Sequence, residues 1–185
     1  SRDGHLVWDI DRLLCEVKSG IDKALSLYKV KSLAIDTWGV DYVLINGDKE
    51  IYPCYAYRDH RGNESMEKVH SIVPFSSLYE RTGIQEQSFN TIYQLYWDKV
   101  EGRLEKATDF LMIPEYLAYK LTGNKVKEYT NGTTTGLVNR ETGEFDVDLL
   151  SSLSLPSNLF PLLKKPGYKV GEYKGIDVLL APTHD

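Results

Sequence analysis

The chain has 185 residues, 42% of them hydrophobic and 26% charged, with a formal net charge of −5. A chain of this length builds one sizeable core with room for a small attached lobe. Its balance is that of an ordinary globular protein, its acidic charge argues against a nucleic-acid partner, which wants a basic face, and its apolar runs are far too short to cross a bilayer.

The opening SRDGHLVWDI lacks the basic-then-apolar pattern of a secretion signal. Cys15 and Cys54 stand alone, with neither a CxxC nor a metal-ligand spacing, which reads as two free thiols in a reducing cytoplasm.

Residues 6–8 form a short apolar run read as an edge strand. Asp9 or Asp11 then caps a helix, because Leu14, Val17, Ile21, Leu25 and Tyr28 recur at spacings of three and four. A strand is predicted over 32–37 and a second over 40–45. Asn46-Gly47 is a hairpin signal, with 50–57 as the return strand. Helix, strand and hairpin in this order predict a mixed sheet in an α/β protein.

From residue 58 to 123 the pattern turns helical, with helices predicted over 61–72, 76–81, 91–104 and 114–121. Pro74 and Pro114 fall at helix starts, and Gly83 and Gly123 where helices end. This stretch reads as an insertion into the α/β unit. The hydroxyl-rich EYTNGTTTGLVN, 128–139, is predicted to be a strand on which Asn131, Thr133, Thr134 and Thr135 alternate. A short amphipathic helix is predicted over 146–153, then a loop-rich stretch over 159–174, then a buried strand over 176–180.

That last strand leads into Ala181-Pro182-Thr183-His184-Asp185. In open α/β sheets ligands bind outside the carboxyl ends of the strands. A carboxylate there can take a proton from a substrate hydroxyl, and the neighbouring imidazole can orient the same group; a surface turn is the plainer reading of the same dipeptide. In Asp36-Thr37-Trp38-Gly39-Val40-Asp41, Trp38 offers an apolar face for a sugar ring and Gly39 lets a ligand approach its amide. A kink holding a core tryptophan is the alternative. Tyr57-Arg58-Asp59-His60-Arg61 either binds polar ligand groups or forms a capping ion-pair cluster. There is no Walker A, GxGxxG or HExxH, and no histidine has metal-ligand spacing along the chain.

Taken together and in order, AIDTWGVDYVLI, AYRDHR, RTGIQEQSFNTIYQL, MIPEYLAYKLTG, EYTNGTTTGLVN and APTHD resemble the FGGY carbohydrate kinases, and among them the rhamnulokinase type. The resemblance spans essentially residues 1–185. It departs from the family's broad signature at Gln94, where that signature carries a lysine. It implies a ribonuclease-H-like, actin/hexokinase-type N-terminal lobe with a helical insertion at 58–123, lacking the phosphate-gripping hairpin that precedes it and the C-terminal ATP-binding lobe. It implies transfer of the ATP γ-phosphate, with Mg2+, to the 1-hydroxyl of L-rhamnulose in the cytoplasm, and an inactive fragment. Asp185 is then the catalytic base, and Gly39 and His184 hold the sugar; Trp38, Gln87 and Asn90 are assigned to the pocket wall. The competing readings are a non-catalytic sugar-binding lobe, or a kinase for L-fuculose or a pentulose.

Overall fold

The computed structural model describes Ser1 and residues 3–184. Its centre is the antiparallel set β4–β3–β6, with β3 at Tyr42–Asn46, β4 at Lys49–Glu50 and β6 at Asp109–Met112. Side chains alternate across a strand. On β3, Tyr42 and Leu44 therefore enter one apolar cluster while Val43 and Ile45 enter another. Phe110 and Met112 of β6 join the first cluster, and Leu111 the second. Both faces are covered, so β3 reads as an unbroken apolar run.

A second set runs β2–β8–β7. Ser32–Ala34 (β2) is parallel to Ile176–Leu179 (β8), and Lys169–Tyr173 (β7) is antiparallel to β8. The third pairing joins β1, Val7–Trp8, to β5, Cys54–Tyr55.

Helix α1, Ile10–Leu27, starts where the Asp9 carboxylate accepts the Arg12 N–H at 3.0 Å. Its predicted stripe is only half-covered: Ile10 is its one buried residue and Tyr28 is exposed. Helices α2 (Arg61–Ile72), α3 (Phe75–Thr82) and α5 (Ile113–Thr122) match the sequence reading closely, while α4 (Thr91–Val100) stops four residues short of the predicted 104. Gly83 and Gly123 end α3 and α5 at φ of 68° and 78°, conformations that carry no steric cost for glycine. Helix α7, Val147–Ser152, falls in the stretch predicted over 146–153, and the Asp146 carboxylate caps it.

Four local readings need correction. The return strand over 50–57 is interrupted at Pro53, which has no N–H to continue the ladder, so β4 stays with β3 while β5 pairs with β1. The segment 58–123 is not wholly helical, since it contains β6, paired along its length with β3. Strand β7 falls inside the stretch read as loop. And Tyr129–Thr134 is a helix, α6, rather than a strand.

The Glu128 carboxylate decides the last of these by accepting from the N–H groups of Thr130 and Asn131 at 2.7 and 2.9 Å. The hydroxyls of Thr133, Thr134 and Thr135 donate back to the carbonyls of Thr130, Asn131 and Gly132 at 2.6, 2.7 and 2.6 Å. The Glu128 cap outweighs threonine's β preference, and the back-bonds keep the three hydroxyls satisfied within the helix.

Candidate functional site

The parallel pairing of β2 with β8 continues past both strands, where Thr37 and His184 form an isolated bridge and the Thr37 N–H donates to the Thr183 carbonyl at 3.2 Å. The stretches Asp36–Asp41 and Pro182–His184, far apart in sequence, therefore leave the sheet side by side. A pocket of about 490 Å3 opens there. One wall is Trp38, Gly39, Val40, Thr134 and His184; the other is Ile84, Gln85, Gln87, Phe89 and Asn90, with Tyr57 completing the lining.

Of the residues singled out from sequence, Trp38, Gly39, Gln87, Asn90 and His184 all line this one pocket. Asp185 lies outside the described residues. Val40, Tyr57, Ile84, Gln85, Phe89 and Thr134 were missed as wall residues. The first five stand in motifs already noticed, but the mistaken strand assignment at 128–139 hid the side of α6 that Thr134 occupies.

The first wall is fixed by buried carboxylates. Asp41, wholly buried, accepts on Oδ2 from the indole N–H of Trp8 at 2.6 Å, the indole N–H of Trp38 at 2.8 Å and the Tyr57 N–H at 3.1 Å. The two indoles lie with centroids 4.3 Å apart. Burial raises the Asp41 carboxyl above its ordinary value, against the opposing pull of those donors and of Arg61. Glu128 plays the corresponding part for the other exit, accepting from the Thr183 hydroxyl at 2.9 Å while it caps α6. His184 is held in turn: its Nε2–H donates to the Thr130 carbonyl at 3.1 Å.

Between these anchors the backbone is strained. Val40 has φ of 65°, a conformation that a β-branched residue rarely adopts. Its carbonyl accepts from the Thr91 hydroxyl at 2.7 Å and the Gln94 amide at 3.3 Å, and its N–H donates to the Thr134 hydroxyl at 3.3 Å. Such strain persists only where the surroundings over-determine it. Next to it, a Cβ on Gly39 would stand 3.2 Å from both Cγ2 and Oγ1 of Thr134, so glycine is what the gap admits without displacement.

The second wall is a loop seated on α2. A Cβ at Gly62 would lie 2.0 Å from the Ser88 carbonyl oxygen, so the loop rests directly on the helix backbone. Asn90 Nδ2 donates to the Gln85 carbonyl at 2.8 Å, and the Gln94 amide donates to the Phe89 carbonyl at 2.7 Å. The Gln94 oxygen accepts from Arg61, which is buried and lies over the Tyr55 ring at 4.4 Å. A lysine at position 94 would oppose that guanidinium in a buried space; an amide can accept from Arg61 and donate to the loop at once. Arg61 and Asp59 thus act in the interior: Arg61 pairs with Asp98 of α4 at 3.5 Å rather than within YRDHR, so neither residue belongs to a surface capping cluster.

The lining residues include no Asp, Glu, Lys or Arg among the described residues, and several are aromatic or aliphatic. Such a surface suits a neutral, partly apolar ligand; nothing in it suits a triphosphate or a magnesium ion.

The sequence model for the FGGY family of carbohydrate kinases, N-terminal domain, matches residues 2–176. The chain belongs to this family. It is 42% identical to the rhamnulokinase of Mannheimia succiniciproducens, aligning over 100% of itself and 39% of that protein. To the rhamnulokinase of Oceanobacillus iheyensis it is 44% identical, over 99% of itself and 42% of that protein. These relatives bear out the rhamnulokinase-type resemblance drawn from the motifs, and this FGGY chain spans about two fifths of their length. Among solved structures, gluconate kinase from Lactobacillus acidophilus superposes with a TM-score of 0.88 at 19% identity, over 100% of this chain and 41% of that one. Plasmodium falciparum glycerol kinase with ADP gives 0.82 at 16%, over 100% and 41%. At these identities the likeness speaks for the fold, which is the expected actin/hexokinase-type N-terminal lobe.

Proposed function

We propose that this chain is the sugar-holding lobe of an ATP-dependent kinase that phosphorylates the 1-hydroxyl of L-rhamnulose. The observation that carries the reading is the convergence of Gly39 and His184 on one uncharged pocket at the exits of parallel strands, in a chain 42–44% identical to rhamnulokinases.

In this reading the Gly39 amide and His184 hold sugar hydroxyls, and Trp38 presents its ring face to the sugar. Ile84, Val40 and Phe89 supply apolar surface of the kind a deoxygenated carbon needs. Gln87 and Asn90 complete the wall, with Asn90 also bracing its loop through Gln85. Asp185, next along the chain from His184, is the residue assigned to take the proton from the attacking hydroxyl. ATP and Mg2+ supply the phosphoryl group and neutralise its charge. The described residues of this pocket do not fit either of them, so their binding is assigned to other parts of the protein.

The test is phosphorylation by the full-length protein of a panel of L-rhamnulose, L-fuculose and pentuloses. The reading expects the highest kcat/KM for L-rhamnulose; a higher value for another ketose reassigns the substrate, and no turnover of any ketose refutes the kinase assignment. The 185-residue chain by itself is expected to show no ATP turnover with L-rhamnulose above the buffer blank.

A further inference from the structure

Outside the pocket, side chains of metal-ligating type meet where β1 approaches the start of α2. His5, Asp59 and His60 each offer one ligand atom, and these atoms lie within 4.8 Å of one another. Distance along the chain conceals this group, since His5 precedes β1 and the other two precede α2.

The carboxylate is already oriented. Asp59 is buried, and its oxygens accept from the backbone N–H of Leu6 at 2.8 Å and of Arg61 at 3.1 Å. Burial works against its charge, but these donors and His5 hold the carboxyl below its ordinary value, so it is an anion at neutral pH. His5 Nδ1 is 3.1 Å from both oxygens, and His60 Nδ1 is 3.8 Å from Oδ2. The two imidazoles stack, with centroids 4.8 Å apart and planes inclined by 16°, so the same edge of each ring faces one carboxylate. Glu64, one turn into α2, has an oxygen 3.3 Å from His60 Nε2.

We propose that His5, Asp59 and His60 form a binding site for a divalent transition-metal ion of the zinc type. Ligand atoms about 2.0–2.1 Å from a tetrahedral ion stand roughly 3.3 Å from one another. The His5–Asp59 spacing already meets that figure, and His60, whose side chain is 54% exposed, has to turn to close the wider one. Two imidazoles with one carboxylate select zinc, cobalt, nickel or copper over magnesium and calcium, which take oxygen ligands. The N–H groups of Leu6 and Arg61 serve as the outer contacts that hold a ligating carboxylate in place. On binding, the neutral His5 ring carries its proton on Nε2 and gives Nδ1 to the metal; water fills the remaining position on the solvent side. The ion would clamp the segment before β1 to the head of α2, across a ladder of only two residue pairs.

The experiment is thermal unfolding of the metal-free full-length protein, without nucleotide, titrated with ZnCl2 and separately with MgCl2. Zinc at a hundred times its Kd should favour the folded state about 100-fold, raising Tm in a saturable way that magnesium does not reproduce. His60→Ala removes an exposed ligand and spares the interior, and His5→Asn keeps a donor for Asp59; each should weaken zinc binding by at least about 10-fold. Co2+ should give a visible d–d absorption in the parent protein that both variants lose. No zinc-dependent rise in Tm, or a rise and a cobalt spectrum unchanged in both variants, would overturn the site.

Discussion

The two walls of the pocket are built on opposite principles. The strand-exit wall is held by charge: Asp41 gathers two indoles and an amide, and Glu128 ties the cap of α6 to Thr183. The loop wall is held by contact, with Ser88 seated on the bare backbone of Gly62 and Asn90 and Gln94 bracing carbonyls from within. A buried carboxylate with several donors fixes direction, because any rotation loses several charge-assisted bonds. A loop resting on a glycine fixes only distance. The exit wall is therefore suited to aligning reacting groups, and the loop wall to setting the size of what fits.

Substitutions can break this contrast, and the largest effect is expected at Asp185, next along the chain from His184. In the full-length protein Asp185→Asn should lower kcat by roughly 10²–10⁴-fold, the range for a general base, while sugar affinity is largely kept. Steady-state kinetics with L-rhamnulose would measure it, and near-parental kcat would remove Asp185 from that role.

Asp41→Ala should come next. It leaves the indole N–H groups of Trp8 and Trp38 and the Tyr57 amide without their acceptor, at about 1–3 kcal/mol for each donor that stays buried. Urea unfolding would report the loss. A shift in tryptophan emission and a raised sugar KM should accompany it, because Trp38 is no longer held against the pocket. A variant with lower stability but unchanged emission and KM would show that the carboxylate does not orient the wall.

Gly39→Arg places a side chain where even a methyl crowds Thr134. Displacements of this order cost about 10²-fold, so kcat/KM for L-rhamnulose should fall by about that much with little change in ATP affinity. A collapse in Tm instead would mark the motif as a kink holding a core tryptophan.

Gly62→Ala sharpens the comparison from the loop side. The new Cβ must push the Ser88 carbonyl away, an overpacking worth about 1–3 kcal/mol. Because Ser88 sits between the wall residues Gln87 and Phe89, discrimination among ketoses should loosen while kcat for the best substrate changes little. Equal losses for every ketose would contradict a size-setting role.

The smallest effect lies outside both walls. Arg81 donates to both oxygens of Asp146 at 2.7 and 2.8 Å. Burial opposes the charge of Asp146, but Arg81 and Asn139 hold its carboxyl below the ordinary value. A depressed carboxyl contributes stability above its unfolded pKa and loses it as pH falls through the folded one. Arg81→Met should therefore lose stability at neutral pH, by about 1 kcal/mol for a partly exposed pair. The gap from the parent should narrow as pH falls below about 4, and a constant gap from pH 7 to pH 3 would exclude this linkage.

How much was legible follows from the range of each signal. Helices α2 to α5 and α7 announced themselves through periodicity, and α3 and α5 also through prolines at their starts and glycines at their ends, all local features. Strands β6 and β7 did not, because four or five residues give too little pattern and their partners, β3 and β8, lie elsewhere in the chain. Helix α6 was read as a strand since its threonines favour β; the Glu128 cap that overrides this preference appears only once the chain is folded. The site residues Trp38, Gly39, Gln87, Asn90 and His184 were legible through motif resemblance. Nothing in their spacing brought them together.

By itself, then, the sequence determined the α/β class, most helices with their ends, the family, and the short list of residues that meet in the pocket. Tertiary structure alone decided that Asp36–Asp41 and Pro182–His184 exit side by side, that Asp41 carries both indoles, and that Gln94 answers to Arg61. It alone also brought His5 to Asp59 and His60. Caps and periodicity act within a few residues, whereas a buried carboxylate acquires its donors only when distant strands have paired and water has been excluded.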